Sequence, residues 1–150
     1  FPYLSYPRKY TSRDREIAYS AMEQVGIADF AEKPLFMLSG GMRQNAYIAM
    51  ALAQDTDYIL LDEPTTYLDI AHQLELMRLL KQLSENGKGI VTVMHALPLA
   101  FDFSDTLTVM NNGGIIACGT PSELCNLPII EDIFGVKIKQ MQDDKYSYQY

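Results

Sequence analysis

Two short apolar segments with an amphipathic segment between them constrain the fold of this 150-residue chain most strongly. The segments "DYILLDEP" (57–64) and "GIVTVMH" (89–95) are continuous apolar runs, which are typical of strands buried in a parallel sheet. Between them, residues 70–87 carry apolar side chains at helical spacing and end at a glycine. A strand, a helix and a second strand in this order predict an α/β fold with a mainly parallel sheet.

Helical patterns precede these strands. Residues 11–26 predict a helix with a capping-type start and a glycine stop, and residues 27–33 predict a short second one. Ser39 begins a third helix that runs to about Gln54, and its middle is apolar enough to predict that it is largely buried. The first 35 residues therefore look like a separate helical element.

Hairpin patterns dominate the end of the chain. The run "NNGG" (111–114) between two β-runs predicts a β-hairpin, because two-residue turns favour Asn and Gly. The tail predicts a second hairpin with its turn at Asp143 and Asp144. Short helices are expected at 96–104, 120–124 and 128–135.

Charge and cysteine content narrow the function classes. The net charge of −7 argues against an overall basic surface for nucleic acid, although it leaves a local basic patch open. Cys118 and Cys125 are spaced for neither a zinc site nor a C-x-x-C redox pair, so we expect the reduced thiols of a cytosolic protein. No apolar run approaches the roughly 18 residues that a membrane span needs.

Ser39, Gly40 and Gly41 stand directly before a predicted helix. The first turn of a helix has unpaired N–H groups and a partial positive charge, and glycine lets an anion come close to them. These residues are therefore candidates for binding a phosphate. The alternative is a plain N-terminal cap with a glycine-rich entry.

Asp62 and Glu63 end the first predicted strand. Open α/β sheets bind ligands at the carboxyl ends of their strands, where Asp62 could hold Mg²⁺ and Glu63 could act as a general base. The alternative is a solvated pair of carboxylates at a strand end.

Two further residues are candidates with ordinary alternatives. His95, read as the last residue of the second strand, would lie at the same sheet edge and could contact a phosphate or the attacking water. Its alternative role is structural. Asp69 lies in a loop that leads into a helix, and it could be simply an N-terminal cap.

Four motifs in this order make the chain resemble the ATP-binding subunit of ABC transporters. "LSGGMRQ" (38–44) resembles the signature motif, and "ILLDEP" (59–64) resembles the Walker B motif with its catalytic glutamate. "TTYLD" (65–69) resembles the D-loop, and His95 resembles the switch histidine.

Three segments carry a narrower resemblance. The importer branch for iron-siderophore, haem and cobalamin is most similar to "PTTYLDIAHQ" (64–73), "GGIIACGTPSEL" (113–124) and "IIEDIFGV" (129–136). The resemblance implies three parts: most of the helical subdomain in 1–38, the signature helix and the C-terminal part of the ATPase core in 39–135, and a C-terminal β tail in 136–150.

The resemblance also implies a mechanism. ATP with Mg²⁺ would be hydrolysed at the interface of a head-to-tail dimer of ATP-binding subunits, on the cytoplasmic face of the cell membrane. The other implied partners are membrane permease subunits and, indirectly, a substrate-binding protein, with no nucleic acid. Glu63 and His95 would be catalytic, Asp62 would hold the metal, and the nucleotide-binding residues would be Ser39, Gly40, Gly41, Gln44 and Asp69.

The chain departs from the family pattern in two places. It contains no G-x-x-x-x-G-K-[ST] phosphate loop, since its only Gly-Lys pair is Gly87-Lys88. We therefore expect the Walker A motif and the Q-loop upstream of Phe1, and we expect this chain to be an incomplete nucleotide-binding domain. Ala96 follows the histidine where the family usually has Asp.

An incomplete nucleotide-binding domain leads to two expectations about the isolated chain. The isolated chain should have no measurable ATPase activity, and uncovered sheet edges or apolar faces should favour self-association. The alternatives to an importer subunit are a non-transport ABC ATPase and a truncated, non-catalytic product.

Overall fold

The computed structural model describes residues 10–66, 68–140 and 146–149. The chain divides into two compact units, 1–93 and 94–150. The division into three segments proposed from the sequence remains a prediction. Within the described ranges no helix is both long and apolar enough to cross a membrane.

Helix α1 (Ser12–Gln24) opens the first unit. Thr11 and Asp14 form a capping box, in which the Thr11 N–H donates to Asp14 Oδ2 at 2.7 Å. Gly26 has a φ of 71° and follows the helix, so the predicted start and stop are both confirmed. The short helix predicted over 27–33 is a 3-10 turn at Ala28–Phe30.

Helix α2 (Gly40–Leu52) begins after Ser39, as predicted, and ends two residues before Gln54. The prediction that it is largely buried is only half right. Its buried residues lie on one side (Ala46, Ile48, Ala49 and Leu52), whereas Tyr47 and Met50 are about half exposed. The reason is amphipathic packing: α1 packs against α2, and the Asn45 side-chain amide donates to the Val25 carbonyl at 3.0 Å.

The predicted strand, helix and strand are all present in the first unit. Strand β1 (Tyr58–Asp62), helix α3 (Ile70–Glu85) and strand β2 (Gly89–Val93) follow one another, and β1 pairs with β2 in parallel. This pairing and the mixture of helices and strands confirm the α/β class.

The prediction that β1 and β2 are buried is wrong. Leu60 and its register partner Val91 are 75% and 52% exposed, and only Ile59 of β1 is buried. A strand is buried on both faces only when a layer packs on each. Helix α3 packs against β2, and the face that carries Leu60 and Val91 is open.

The described residues of the second unit form three short helices and two antiparallel strand pairs. In chain order they are α4 (Leu97–Phe103), β3 (Leu107–Asn111), β4 (Gly114–Gly119), α5 (Pro121–Leu124), α6 (Pro128–Phe134), β5 (Lys137–Gln140) and β6 (Tyr146–Gln149). The β3–β4 hairpin is confirmed, and its turn residues Asn112 and Gly113 have φ values of 49° and 78°. Strands β5 and β6 pair as predicted, but the predicted turn at 143–144 lies outside the described residues.

One apolar cluster holds the second unit together. Phe101 lies edge to face with Tyr146, with ring centroids 5.3 Å apart, and the Tyr146 N–H donates to Asp102 Oδ1 at 3.0 Å. These contacts fix β6 to α4. The buried members of the cluster are Phe101, Val109, Leu124, Ile130 and Ile138.

Candidate functional site

Ser39 caps the start of α2. Its backbone is extended, its hydroxyl accepts the Met42 N–H at 3.3 Å, and its carbonyl accepts the Arg43 N–H at 2.9 Å. The N–H groups of Gly40 and Gly41 precede these donors and have no acceptor within the helix. The capping role is therefore real, and it leaves two backbone donors for an anion. A phosphate role for Ser39 remains a prediction, as does a role for the half-buried Gln44 one turn later.

Glu63 interrupts the strand geometry at the end of β1. Its φ is 45°, a left-handed conformation that costs energy for any residue other than glycine. Its N–H donates to the Val93 carbonyl at 2.8 Å, so the conformation is fixed by the neighbouring strand. Asp62 and Glu63 are both exposed, and the left-handed Glu63 breaks the strand alternation between them.

A tight turn orients the Glu63 carboxylate. The Thr66 hydroxyl donates to Glu63 Oε2 at 3.1 Å, and the Thr66 N–H donates to the Glu63 carbonyl at 3.1 Å. Thr65, between them, is only 6% exposed and anchors the turn. The carboxylate is thus held by its own loop while remaining accessible, which suits a general base.

Asp69 caps helix α3. Its Oδ1 accepts the His72 N–H at 2.9 Å, and its Oδ2 lies 2.7 Å from His72 Nδ1. The hydrogen bond from the His72 backbone, followed by that from its side chain, lowers the pKa of the Asp69 carboxyl below its ordinary value. The capping alternative for Asp69 is therefore real as well.

His72 brings the Asp69 loop against the start of α2. A Cβ atom placed on Gly41 would lie 2.7 Å from His72 Cδ2, so the imidazole lies directly over Gly41. The sequence analysis missed His72. The available signal was its position three residues after a capping acid, which is the distance at which side chains meet on a helix start.

His95 does not end a strand, contrary to the prediction. It lies in a bend of the second unit, two residues beyond the end of β2. The ladder stops at Val93, whose register partner is Asp62, the last residue of β1. The joint action of His95 with Glu63 remains a prediction.

Ala96, at the family's Asp position, is the residue before helix α4. It provides no side-chain cap for this helix, which a carboxylate at the same position would be suited to supply.

The donors for a metal ion are limited in the described ranges. No group of three or more His, Cys, Asp or Glu side chains there could enclose a metal ion. Asp62 fits the chemistry of Mg²⁺ as a single exposed carboxylate, because Mg²⁺ commonly takes one or two protein carboxylates and completes its shell with water and substrate phosphates. Cys118 and Cys125 are free thiols, and burial raises the pKa of Cys125.

Comparison with known proteins gives a consistent pattern. Residues 4–66 match the family model described as ABC transporter. The chain is 41% identical over 148 residues to the petrobactin import ATP-binding protein FpuD of Bacillus anthracis, covering 98% of the chain and 54% of that protein. It is 42% identical over 146 residues to the iron(3+)-hydroxamate import ATP-binding protein FhuC of Bacillus subtilis, covering 97% and 54%. The chain thus spans about half the length of the curated relatives it matches.

Solved structures show the same fold. A metal-chelate type ABC transporter in an inward-facing conformation matches with a TM-score of 0.86 at 23% identity, covering 99% of this chain and 62% of that one. An ATP-binding cassette in its ADP conformation matches with a TM-score of 0.78 at 23% identity, covering 85% and 51%.

Proposed function

Because the chain belongs to the ABC transporter family of ATP-binding proteins, we propose that it forms part of the ATP-hydrolysing subunit of an iron-siderophore importer. The relatives reported above, which are named for petrobactin and iron-hydroxamate import, support this substrate class. These relatives favour import over a non-transport ATPase.

The observation that carries the ATPase assignment is the geometry of Glu63. An exposed carboxylate is held in strained backbone at the carboxyl end of a parallel strand and oriented by the Thr66 hydroxyl. Strained backbone costs stability and is common at functional sites, which supports a functional role for Glu63. Glu63 would accept a proton from the water that attacks the γ-phosphate, and Thr66 would hold Oε2 in place.

Asp62 and His95 would assist Glu63. Asp62 would provide one ligand to Mg²⁺, which neutralises charge on the phosphates when it is bound. His95 would hydrogen-bond the γ-phosphate or the attacking water. Phosphoryl transfer depends mainly on positioning and charge stabilisation, so these residues need to act together rather than singly.

Ser39, Gly40 and Gly41 would act on the nucleotide of a second ATP-binding subunit. The N–H groups of the two glycines lie at a helix start that favours anions. Gln44 would support this contact from the same helix. Asp69 would link the two nucleotide sites across the interface.

The remaining partners would be the membrane permease subunits and, through them, a substrate-binding protein, with no nucleic acid. An apolar cavity of about 410 Å³ between α1 and α2, with Ile17, Met22 and Met50 in its lining, is the surface that we assign to the permease. Docking there would keep the protein at the cytoplasmic face of the cell membrane.

The direct test is Glu63→Gln in the assembled importer. Removing the general base should lower kcat by roughly 100- to 10,000-fold, measured as phosphate release in the presence of Mg²⁺. Glu85→Gln is the matched control, because Glu85 is an exposed residue at the end of α3 and outside the site. Equal activity of the two variants would refute the role of Glu63.

The 150-residue chain by itself should not hydrolyse ATP, because it contains no G-x-x-x-x-G-K-[ST] segment to hold the phosphates. The measurement is phosphate release by the purified chain. Turnover that survives purification and disappears with Glu63→Gln would contradict this expectation.

A further inference from the structure

His72 is held between two candidate motifs of the first unit. Its Nδ1 lies 2.7 Å from Asp69 Oδ2, and its Cδ2 lies 2.7 Å from the position that a Cβ on Gly41 would take. Real Cβ atoms essentially never come this close to another heavy atom, so the imidazole occupies the space that any larger residue at position 41 would need.

The hydrogen bond restricts the ring of His72. An exposed histidine samples several rotamers, but this ring is tied to a carboxylate that also caps its own helix through the His72 N–H at 2.9 Å. The pair is accessible, with 48% and 66% of the side-chain surfaces of His72 and Asp69 exposed. The ring therefore contacts Gly41 at the protein surface, where a second subunit can approach.

We propose that His72 is a positioning residue that couples Asp69 to the first turn of α2. Its imidazole is oriented by Asp69 and in turn fixes the backbone of Gly41, so the D-loop acid and the phosphate-facing N–H groups of one chain move together. This inference rests on the proposed function, because it assigns the coupled groups to the same ATP-hydrolysing interface.

The contact is tested by a double-mutant cycle on the chain itself. The variants are Gly41→Ala, His72→Ala and the double variant, compared by the midpoint of urea denaturation. With His72 present, Gly41→Ala should lower the midpoint, because the new methyl displaces the ring from Asp69. With His72→Ala, the same substitution should leave the midpoint unchanged or raise it, since alanine favours a helix more than glycine does.

Gly114→Ala is the matched control for this cycle. A Cβ on Gly114 would meet its nearest neighbour, the Asn111 carbonyl oxygen, at an ordinary distance of 3.7 Å. Its effect on the midpoint should be the same with and without His72. If Gly41→Ala also has the same effect in both backgrounds, the coupling between Gly41 and His72 is refuted.

Measuring kcat and KM in the assembled importer distinguishes a positioning role of His72 from a purely structural one. His72→Ala should lower kcat by roughly 10- to 100-fold and change KM less, because misplaced Gly40 and Gly41 N–H groups lose most when charge develops on the transferred phosphate. His72→Phe, which keeps a ring over Gly41, should retain more of kcat than His72→Asn, which keeps only a donor for Asp69. Unchanged kcat in all three variants, at lowered stability, would refute the positioning role.

The two proposals fail in different ways. If the unmodified importer hydrolyses no ATP, the proposed function falls and the positioning role falls with it. The denaturation cycle still decides in that case whether His72 and Gly41 are coupled.

Discussion

Two regions of the chain differ in how far their apolar residues are buried: the Phe101 cluster of the second unit and the paired strands β1 and β2 of the first. In the second unit, Phe101 and its neighbours form a closed cluster in which Phe101 is 3% exposed. In the first unit, the paired strands β1 and β2 expose Leu60, Val91 and Val93, each by more than half. The Phe101 cluster buries its apolar side chains, whereas the sheet of β1 and β2 leaves an apolar face exposed.

The difference in burial between the Phe101 cluster and the sheet face decides which of them stabilises the fold. Apolar area removed from water stabilises the fold in proportion to that area, so the Phe101 cluster contributes and the exposed face does not. The exposed face lies in the same unit as the strained Glu63 and the exposed pair of Asp69 and His72.

The largest expected effect tests the closed cluster. Phe101→Ala should lower the free energy of unfolding by about 3–5 kcal/mol, because it leaves a cavity among buried side chains. Leu60→Ala, at 75% exposure, should change it by less than about 0.5 kcal/mol. Urea denaturation of both variants checks the contrast, and similar losses would mean that the two faces are equally buried in solution.

A smaller effect tests the strain at Glu63. Glu63→Gly should raise the free energy of unfolding by about 1 kcal/mol, because glycine adopts a φ of 45° without the cost paid by other residues. Asn112→Gly is the control at a φ of 49° in the β3–β4 hairpin, and its gain should be smaller, since asparagine tolerates this conformation better than glutamate. A loss of stability in Glu63→Gly would contradict the assignment of strain.

We expect the exposed face of β1 and β2 to affect self-association of the chain rather than its free energy of unfolding. Leu60→Thr should leave the free energy of unfolding within about 0.5 kcal/mol of the parent chain and should lower the fraction of dimers and larger species. Light scattering at matched concentrations measures this fraction. A parent chain that is a monodisperse monomer would remove the basis for the prediction.

The smallest effect is a pH dependence at Asp69. Hydrogen bonds from His72 lower the pKa of this carboxyl from its ordinary value of 3.8, so its stabilising contribution is fully present above pH 3.8. The contribution is lost as the pH falls through the lower folded-state pKa. Asp69→Asn keeps a good capping residue and removes the charge, so the stability difference between the two proteins should shrink in that acid range. A stability difference that stays constant from neutral pH to pH 2 would refute the contribution of the Asp69 charge.

Much of the fold follows from local patterns. The Thr11–Asp14 capping box, the Ser39 cap and the turn of the β3–β4 hairpin depend on residues within a few positions of one another, and all were predicted correctly. The burial of β1 and the position of His95 were predicted wrongly. Both depend on what packs or pairs with a strand, which its own residues do not specify.

The candidate site likewise combines residues that local patterns identify with one that depends on tertiary contact. Sequence order alone identifies Ser39, Asp62, Glu63 and Asp69 as candidates, because each residue type is tied to a motif and a helix or strand end. For His72 the sequence offers only its position three residues after a capping acid, because its contact is with Gly41, 31 positions earlier in the chain.

The sequence by itself determines the α/β class, the helix caps and the family of this protein, since these rest on periodicity, local hydrogen bonding and motif order. Only the tertiary structure decides that Glu63 adopts a left-handed conformation, that the face of Leu60 stays open, and that His72 lies over Gly41. The physical reason is that backbone strain, burial and side-chain contact depend on the positions of distant atoms. Those positions are fixed only when helices and strands pack together.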